Sequence, residues 1–282
     1  MTARTVLTVA ALTLQEAARR RVLRSLAVLT VVLLGLSAWG FSRINAEFGG
    51  LTSGEARLVA AMVLNLVMFG LSLIAALGTA FLAGPTLAGE TESGIALAIL
   101  ARPVRRSAVL LGKWLGLVAF ASGFVALAGL TQLLIVRITV GYWPPRPATG
   151  LALLAVQATV ILTLCLLLST TLSPMASGVV AVGLFGATWI AGVVGGVGEA
   201  LHNDSVQRIG TISRMLLPSD GLWRGAMNAF QDPRLLTQFS QAFVGHPFLS
   251  ESRLTTIYLG WAALWIVVVL GLAGVAFQRR DL

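Results

Sequence analysis

GPTLAGETESGIALAILARPVRRSAVLLGK, residues Gly84 to Lys113, is the stretch on which the reading of the chain turns. It is the one strongly charged interruption between long apolar runs in the first two thirds of the sequence. Two carboxylates, Glu90 and Glu92, stand between Gly89 and Gly94. The short apolar run Ile95 to Leu100 follows, then Arg102-Pro103, Arg105-Arg106 and Gly112-Lys113. Such a run predicts a short helix lying at a membrane surface. Pro103 has no N–H to donate and biases Arg102 toward extended backbone, so this helix should stop near Ala101 and the next begin around Ser107. Taken singly, the arginines fit a solvated loop that obeys the positive-inside rule.

The flanking sequence sets the class. The chain has 282 residues, 57% hydrophobic and 11% charged, with a mean hydropathy of +0.88. Soluble domains carry about a quarter charged residues. The composition therefore implies an all-α polytopic membrane protein, a single transmembrane domain over residues 1–282. The net charge of +9 does not point to nucleic acid, because the arginines gather at the edges of apolar runs without interleaved aromatics. Anionic lipid headgroups are the expected counter-charge. The single cysteine, Cys165, excludes an intrachain disulfide and leaves no metal-ligand spacing.

Outward from the central stretch, six spans are predicted at about Arg24 to Phe41, Leu58 to Ala83, Trp114 to Val136, Leu151 to Leu172, Ala176 to Val197 and Tyr258 to Ala276. Residues 5–23 are apolar in their first half and basic in their second, which predicts an interfacial helix ahead of the first span. Asn65 is the strongly polar side chain of the second span and is expected to hydrogen-bond a neighbouring helix. The turn Tyr142-Trp143-Pro144-Pro145 belongs at a headgroup layer. In the fifth span Gly192 and Gly196 have GxxxG spacing, read either as a close contact between two copies or as packing within one bundle. Residues 199–255 contain three amphipathic segments, the second capped by Pro218-Ser219-Asp220 and the third by Asp232-Pro233. They are predicted as short external helices embedded at the interface before the last span.

Basic residues cluster before the first span, in the central loop and at Arg279-Arg280, whereas those between the other span ends are scattered and nearly balanced by acids. The positive-inside rule then places both termini and residues 84–113 in the cytoplasm, with residues 199–255 outside; the membrane is expected to be a bacterial inner membrane.

The central loop resembles that between the second and third membrane helices of type 2 (export) ABC transporter permeases. The match is Glu90, Glu92 and Gly94, then Arg102-Pro103 with Arg106, then Gly112-Lys113. Ile95 departs from it, standing where the family usually has threonine. Leu217-Pro218-Ser219-Asp220 with Arg224, and the tail Phe277 to Leu282, look like the permeases of the nitrous-oxide-reductase maturation group. The resemblance implies that Glu90, Glu92, Gly94, Arg102, Pro103, Arg106 and Lys113 form a coupling surface for a separate P-loop ATPase. It also implies that a second permease copy completes the path.

The residues also limit the chemistry. No G-x-x-x-x-G-K-[ST] occurs, so ATP and Mg would be bound by the partner ATPase and the chain itself has no cofactor. No catalytic set and no metal set is apparent: His202 and His246 lie in the long external stretch without acidic partners at suggestive spacing. The cores of the predicted spans hold no ionisable residue, which argues against an ion-coupled carrier. A non-transporting anchor or assembly factor for a periplasmic protein is the alternative function.

Overall fold

Backbone N–H and C=O groups in a hydrocarbon phase must be satisfied within the chain, and in the described spans the means is helix. The computed structural model describes residues 2–48, 54–92, 106–232, 246–250 and 254–279. In chain order the helices are α1 (Thr2–Arg19), α2 (Arg21–Phe48), α3 (Gly54–Glu92), α4 (Arg106–Val140), α5 (Pro147–Leu168), α6 (Pro174–Ala200), α7 (Asp204–Leu216), α8 (Ser219–Phe230) and α9 (Thr256–Arg279). Six of them, α2 to α6 and α9, are long and apolar enough to cross a membrane. The protein is an all-α, multi-pass membrane protein.

Helix α3 is the hub, packing against α2, α4, α5 and α6. It runs past the predicted stop at Ala83 and carries Pro85 inside it. A proline in a helix interior forfeits one backbone hydrogen bond, yet here the turn is held from outside. Gly84 lies so close to the Pro174 carbonyl at the start of α6 that no larger residue fits. Next to it, the Thr86 hydroxyl donates to the Leu82 carbonyl at 2.6 Å.

The N-terminal segment predicted as an interfacial helix over residues 5–23 is helical from Thr2 to Arg19, with Arg21 to Leu23 belonging to α2, and α1 docks along α4. Val6 and Val9 lie over Gly112, and Ala10 and Thr13 over Gly116, so the two helices run in the same sense. A Cβ at Gly112 would come within 2.8 Å of the Val6 carbonyl oxygen, which is why the sites are glycine. The outer side of α1 exposes Leu7 and Leu12.

The two helices before the last span depart from expectation. Helix α7 is amphipathic and lies along α6, its Gly210 against Gly195, with Ile209, Ile212, Met215 and Leu216 exposed. Helix α8 is not embedded at an interface at all: each of its residues is buried except Arg224, which is nearly so. Together they form a re-entrant hairpin whose tip, Leu217 to Ser219, meets Gln157 of α5 and Thr188 of α6. Those two residues lie about 15–18 Å along their helices from the ends nearest the hairpin's base, at 1.5 Å per residue. The amphipathic pattern revealed the two helices but not their depth, since a face that is apolar toward lipid looks the same as one that is apolar toward a bundle. The predicted third segment, Leu236 to Phe243, lies outside the described residues.

Candidate functional site

Two regions could serve a function, one at each end of the bundle. At the first, α3 ends at Glu92 and α4 begins at Arg106. Glu90 and Glu92 belong to the last turn of α3, and their side chains lie outside the described part. Gly94, Arg102 and Pro103, together with the predicted 95–100 helix, are also outside the described residues. Arg106 opens α4 and its Nη1 donates to the Gln278 carbonyl of α9 at 3.2 Å.

Lys113 is only 4% exposed. Its Nζ donates to the Thr86 carbonyl at 2.8 Å. An ammonium buried this deeply must find oxygen partners, and the carbonyls of a helix's last turns are suited to a cation because they carry the negative end of the helix dipole. Lys113 thereby ties the two helices that bracket the charged stretch. The sequence-predicted coupling residues are thus divided: Arg106 and Lys113 join α4 to α9 and α3 respectively, and the rest lie in or beyond the last turn of α3.

The second region is the hairpin. Ser219 opens α8, but neither it nor Asp220 caps the helix; the N-cap position is Pro218, without a side-chain hydrogen bond. Instead the Ser219 hydroxyl pairs with Thr188 Oγ1 at 2.9 Å. The Ser219 carbonyl accepts from Gln157 Nε2 at 3.2 Å, and Gln157 Oε1 accepts from Ser72 at 3.0 Å. Three helices are thereby stitched to the hairpin tip by polar groups that have no water to turn to.

Asp220, taken from sequence as an external charge, has a side chain 2% exposed and paired with two arginines. Its Oδ2 lies 3.0 Å from Arg224 Nε and 3.2 Å from Arg214 Nε. Arg224 Nη2 also donates to the Gly192 carbonyl at 2.5 Å, and any side chain at Gly192 would collide with the Asp220 carboxylate. Burial pushes the Asp220 carboxyl up, while Arg224 and then Arg214 pull it back down. Gly192 and Gly196 are both buried within the chain; Gly192 faces Asp220 of α8, and Gly195 and Gly198 meet α7.

Sequence reasoning missed this cluster, although the signal was present. Asp220 and Arg224 stand at i and i+4, the spacing of a helical ion pair, and Arg214 lies just before the Pro218 break. The expectation that the span cores hold no ionisable residue concerned the spans alone, and the charges enter the bundle on the hairpin instead. The spans themselves leave their centres uncharged, but the hairpin carries three charged side chains inward.

The base of the hairpin is fastened by the turn after α4. Tyr142, expected at a headgroup layer, is buried with its hydroxyl donating to the Phe230 carbonyl at 2.7 Å. Arg146 Nη2 donates to Asn228 Oδ1 at 2.9 Å. Asn65 finds its partner in the 246–250 segment rather than on a helix, donating to the Phe248 carbonyl at 2.9 Å. Phe69, Trp189, Trp223 and Phe248 pack beside it, with ring centroids 4.7 to 6.3 Å apart. Among the described residues no three His, Cys, Asp or Glu side chains converge on a point that could hold a metal.

Residues 8–282 match the model of the family described as ABC-2 family transporter protein. The chain belongs to that family. The ABC-2 match covers every helix from α2 onward and most of α1. No curated protein matches the chain. An ABC-2 family protein is a membrane subunit, not itself catalytic.

Proposed function

We propose that this ABC-2 protein moves its substrate outward across a bacterial cytoplasmic membrane, driven by ATP that a separate P-loop ATPase hydrolyses, with two permease copies forming the path. The observation that carries this reading is the Lys113 tie to α3. A partner pressing on residues 84–113 would act on the ends of α3 and α4, and the Lys113 to Thr86 bond obliges those ends to move together. Arg106 would pass the same displacement to α9 through Gln278. The basic clusters support a cytoplasmic side for both termini and this end of the bundle, and on that reading the hairpin opens at the outer face. Within the family we place the chain nearest the nitrous-oxide-reductase maturation permeases, on Leu217 to Asp220 with Arg224 and on the tail at residues 277–282.

The test is ATPase activity of the reconstituted complex. Replacing Glu90 and Glu92 by Gln, or Arg106 by Glu, should leave the permease folded and in the membrane but lower its stimulation or binding of the ATPase. Solvated charges contribute only about 0–1 kcal/mol each, so unaltered activity and co-purification would remove these residues from the coupling surface. Failure of any ATPase to co-purify would favour the anchor reading. Orientation is checked by a cysteine at the exposed Arg208 on α7, which should label from outside intact cells.

A further inference from the structure

Beside the buried Asp220, the structure leaves a cationic pocket with a lateral opening. Its volume is about 170 Å³, and Arg214, Arg224, Gly221, Thr255 and Tyr258 line it. Two guanidinium groups here share one carboxylate, so the pocket wall carries a surplus positive charge. Glu199 acts on Arg214 more weakly, from the exposed end of α6. Arg224 is held on two sides, by Asp220 at Nε and by the Gly192 carbonyl at Nη2. Arg214 is held less: its ion pair with Asp220 is its one close polar side-chain contact among the described residues, its Nε makes no hydrogen bond, and its side chain remains 28% exposed. The far side of that guanidinium, with its Nη donors, is left for something else. Tyr258 fixes the position of the arginine by donating its hydroxyl to the Arg214 carbonyl at 3.1 Å.

An apolar trough of about 570 Å³ runs from the same hairpin between α6, α7 and α9. Ile209, Ile212, Leu216, Leu184 and Trp265 are among its walls. Leu217, also in its lining, is one helical turn beyond Arg214. Tyr258 in the pocket and Trp265 in the trough are two turns apart, hence on one face of α9. Trp265 is held there by its Nε1, which donates to the Leu216 carbonyl at 2.8 Å. A cationic head site and an apolar tail site are thus both lined from one face of α9 and from α7. The chemistry that matches both is a phospholipid with an anionic headgroup: a phosphate oxygen accepts from planar guanidinium donors, and an acyl chain fills the trough.

We propose that the hairpin binds an anionic phospholipid, its phosphate on Arg214 and one acyl chain against Ile212, Leu216 and Trp265. Binding braces the hairpin, because Arg214 then bridges the lipid and Asp220. The proposal does not depend on which molecule the protein transports or on the ATPase.

The experiment measures thermal unfolding of the purified full-length protein in a neutral detergent. Three probes are added separately: dioctanoyl phosphatidylglycerol, dioctanoyl phosphatidylcholine and inorganic phosphate. A concentration-dependent rise in Tm of several degrees is expected with phosphatidylglycerol alone. Arg214→Gln should abolish at least nine tenths of that rise while leaving the Asp220 to Arg224 pair in place. Ala187→Trp, which fills the trough from an exposed position on α6, should also abolish it with both arginines intact. Equal shifts with phosphatidylcholine would overturn the headgroup assignment. A shift with inorganic phosphate equal to that with phosphatidylglycerol would make the site one for a soluble anion and overturn the lipid. If Arg214→Gln does not fold, the Ala187→Trp response decides: an undiminished rise there overturns the proposal.

Discussion

Replacing Asp220 by Asn is the sharpest probe of the hairpin. The substitution is nearly isosteric and keeps one oxygen, so it changes charge rather than volume. In the native protein one carboxylate, 2% exposed, neutralises part of the charge on two arginines that are 28% and 16% exposed. Breaking a fully buried pair costs about 3–5 kcal/mol. Partial solvent access lets the two guanidinium groups recover some hydration, which lowers the expectation to about 2–3 kcal/mol. Arg224→Gln should cost less, about 1–2 kcal/mol, because Asp220 keeps Arg214 and the Gly192 carbonyl loses one charged donor. Arg214→Gln, on the most exposed partner, should cost under about 1 kcal/mol. Unfolding in detergent followed by tryptophan fluorescence would report the order, Trp223 being buried on the same helix. The Asp220→Asn, Arg224→Gln double variant should be less destabilised than the sum of the singles by at least about 1 kcal/mol. An Asp220→Asn protein within about 0.5 kcal/mol of wild type would refute the argument, since that is the range of ordinary surface substitutions.

Two further outcomes are expected. Lys113→Met should preserve volume but lose the bond to the Thr86 carbonyl, leaving membrane levels near wild type and lowering ATPase stimulation in the reconstituted complex; unchanged stimulation would separate Lys113 from coupling. Gly195→Leu would drive a side chain into Gly210, 2.8 Å from where a Cβ would stand. The overpacking should destabilise the protein by about 1–3 kcal/mol, read as a lower detergent Tm, and Gly183→Leu, on open surface, should not.

The spans were legible because apolar length and bounding charge are local properties. The run from Trp114 to Val136, for instance, differs from α4 only by the turns added at each end. What was not legible depended on three dimensions. The second span was predicted to end at Ala83, whereas α3 continues through Pro85, beside the close approach of Gly84 to α6 and the Lys113 bond to the Thr86 carbonyl. Asp220 reads as a surface charge because nothing in Leu217-Pro218-Ser219-Asp220 reports that the segment is folded back into the bundle. Its partner Arg224 is in register by helical spacing, but Arg214 reaches it across the break at Pro218, where no periodicity connects the two. The fifth-span glycines announced close packing, and the sequence could not say that the facing backbone would be Gly210 of the chain's own hairpin.

The docking of α1 has a consequence for how the protein is made. Helix α1 is separated from α2 by the single residue Arg20, yet its principal neighbour is α4. The glycines that receive it, Gly112 and Gly116, leave the ribosome roughly 100 residues after Val6, a delay of about 5–20 s at ordinary elongation rates. During that interval α1 has no protein surface to cover its inward face of Val6, Val9 and Ala10. The membrane surface is the available shelter, and a helix that keeps Leu7 and Leu12 exposed even in the finished fold is built to wait there. Docking of α1 on Gly112 and Gly116 therefore waits until α4 has been made.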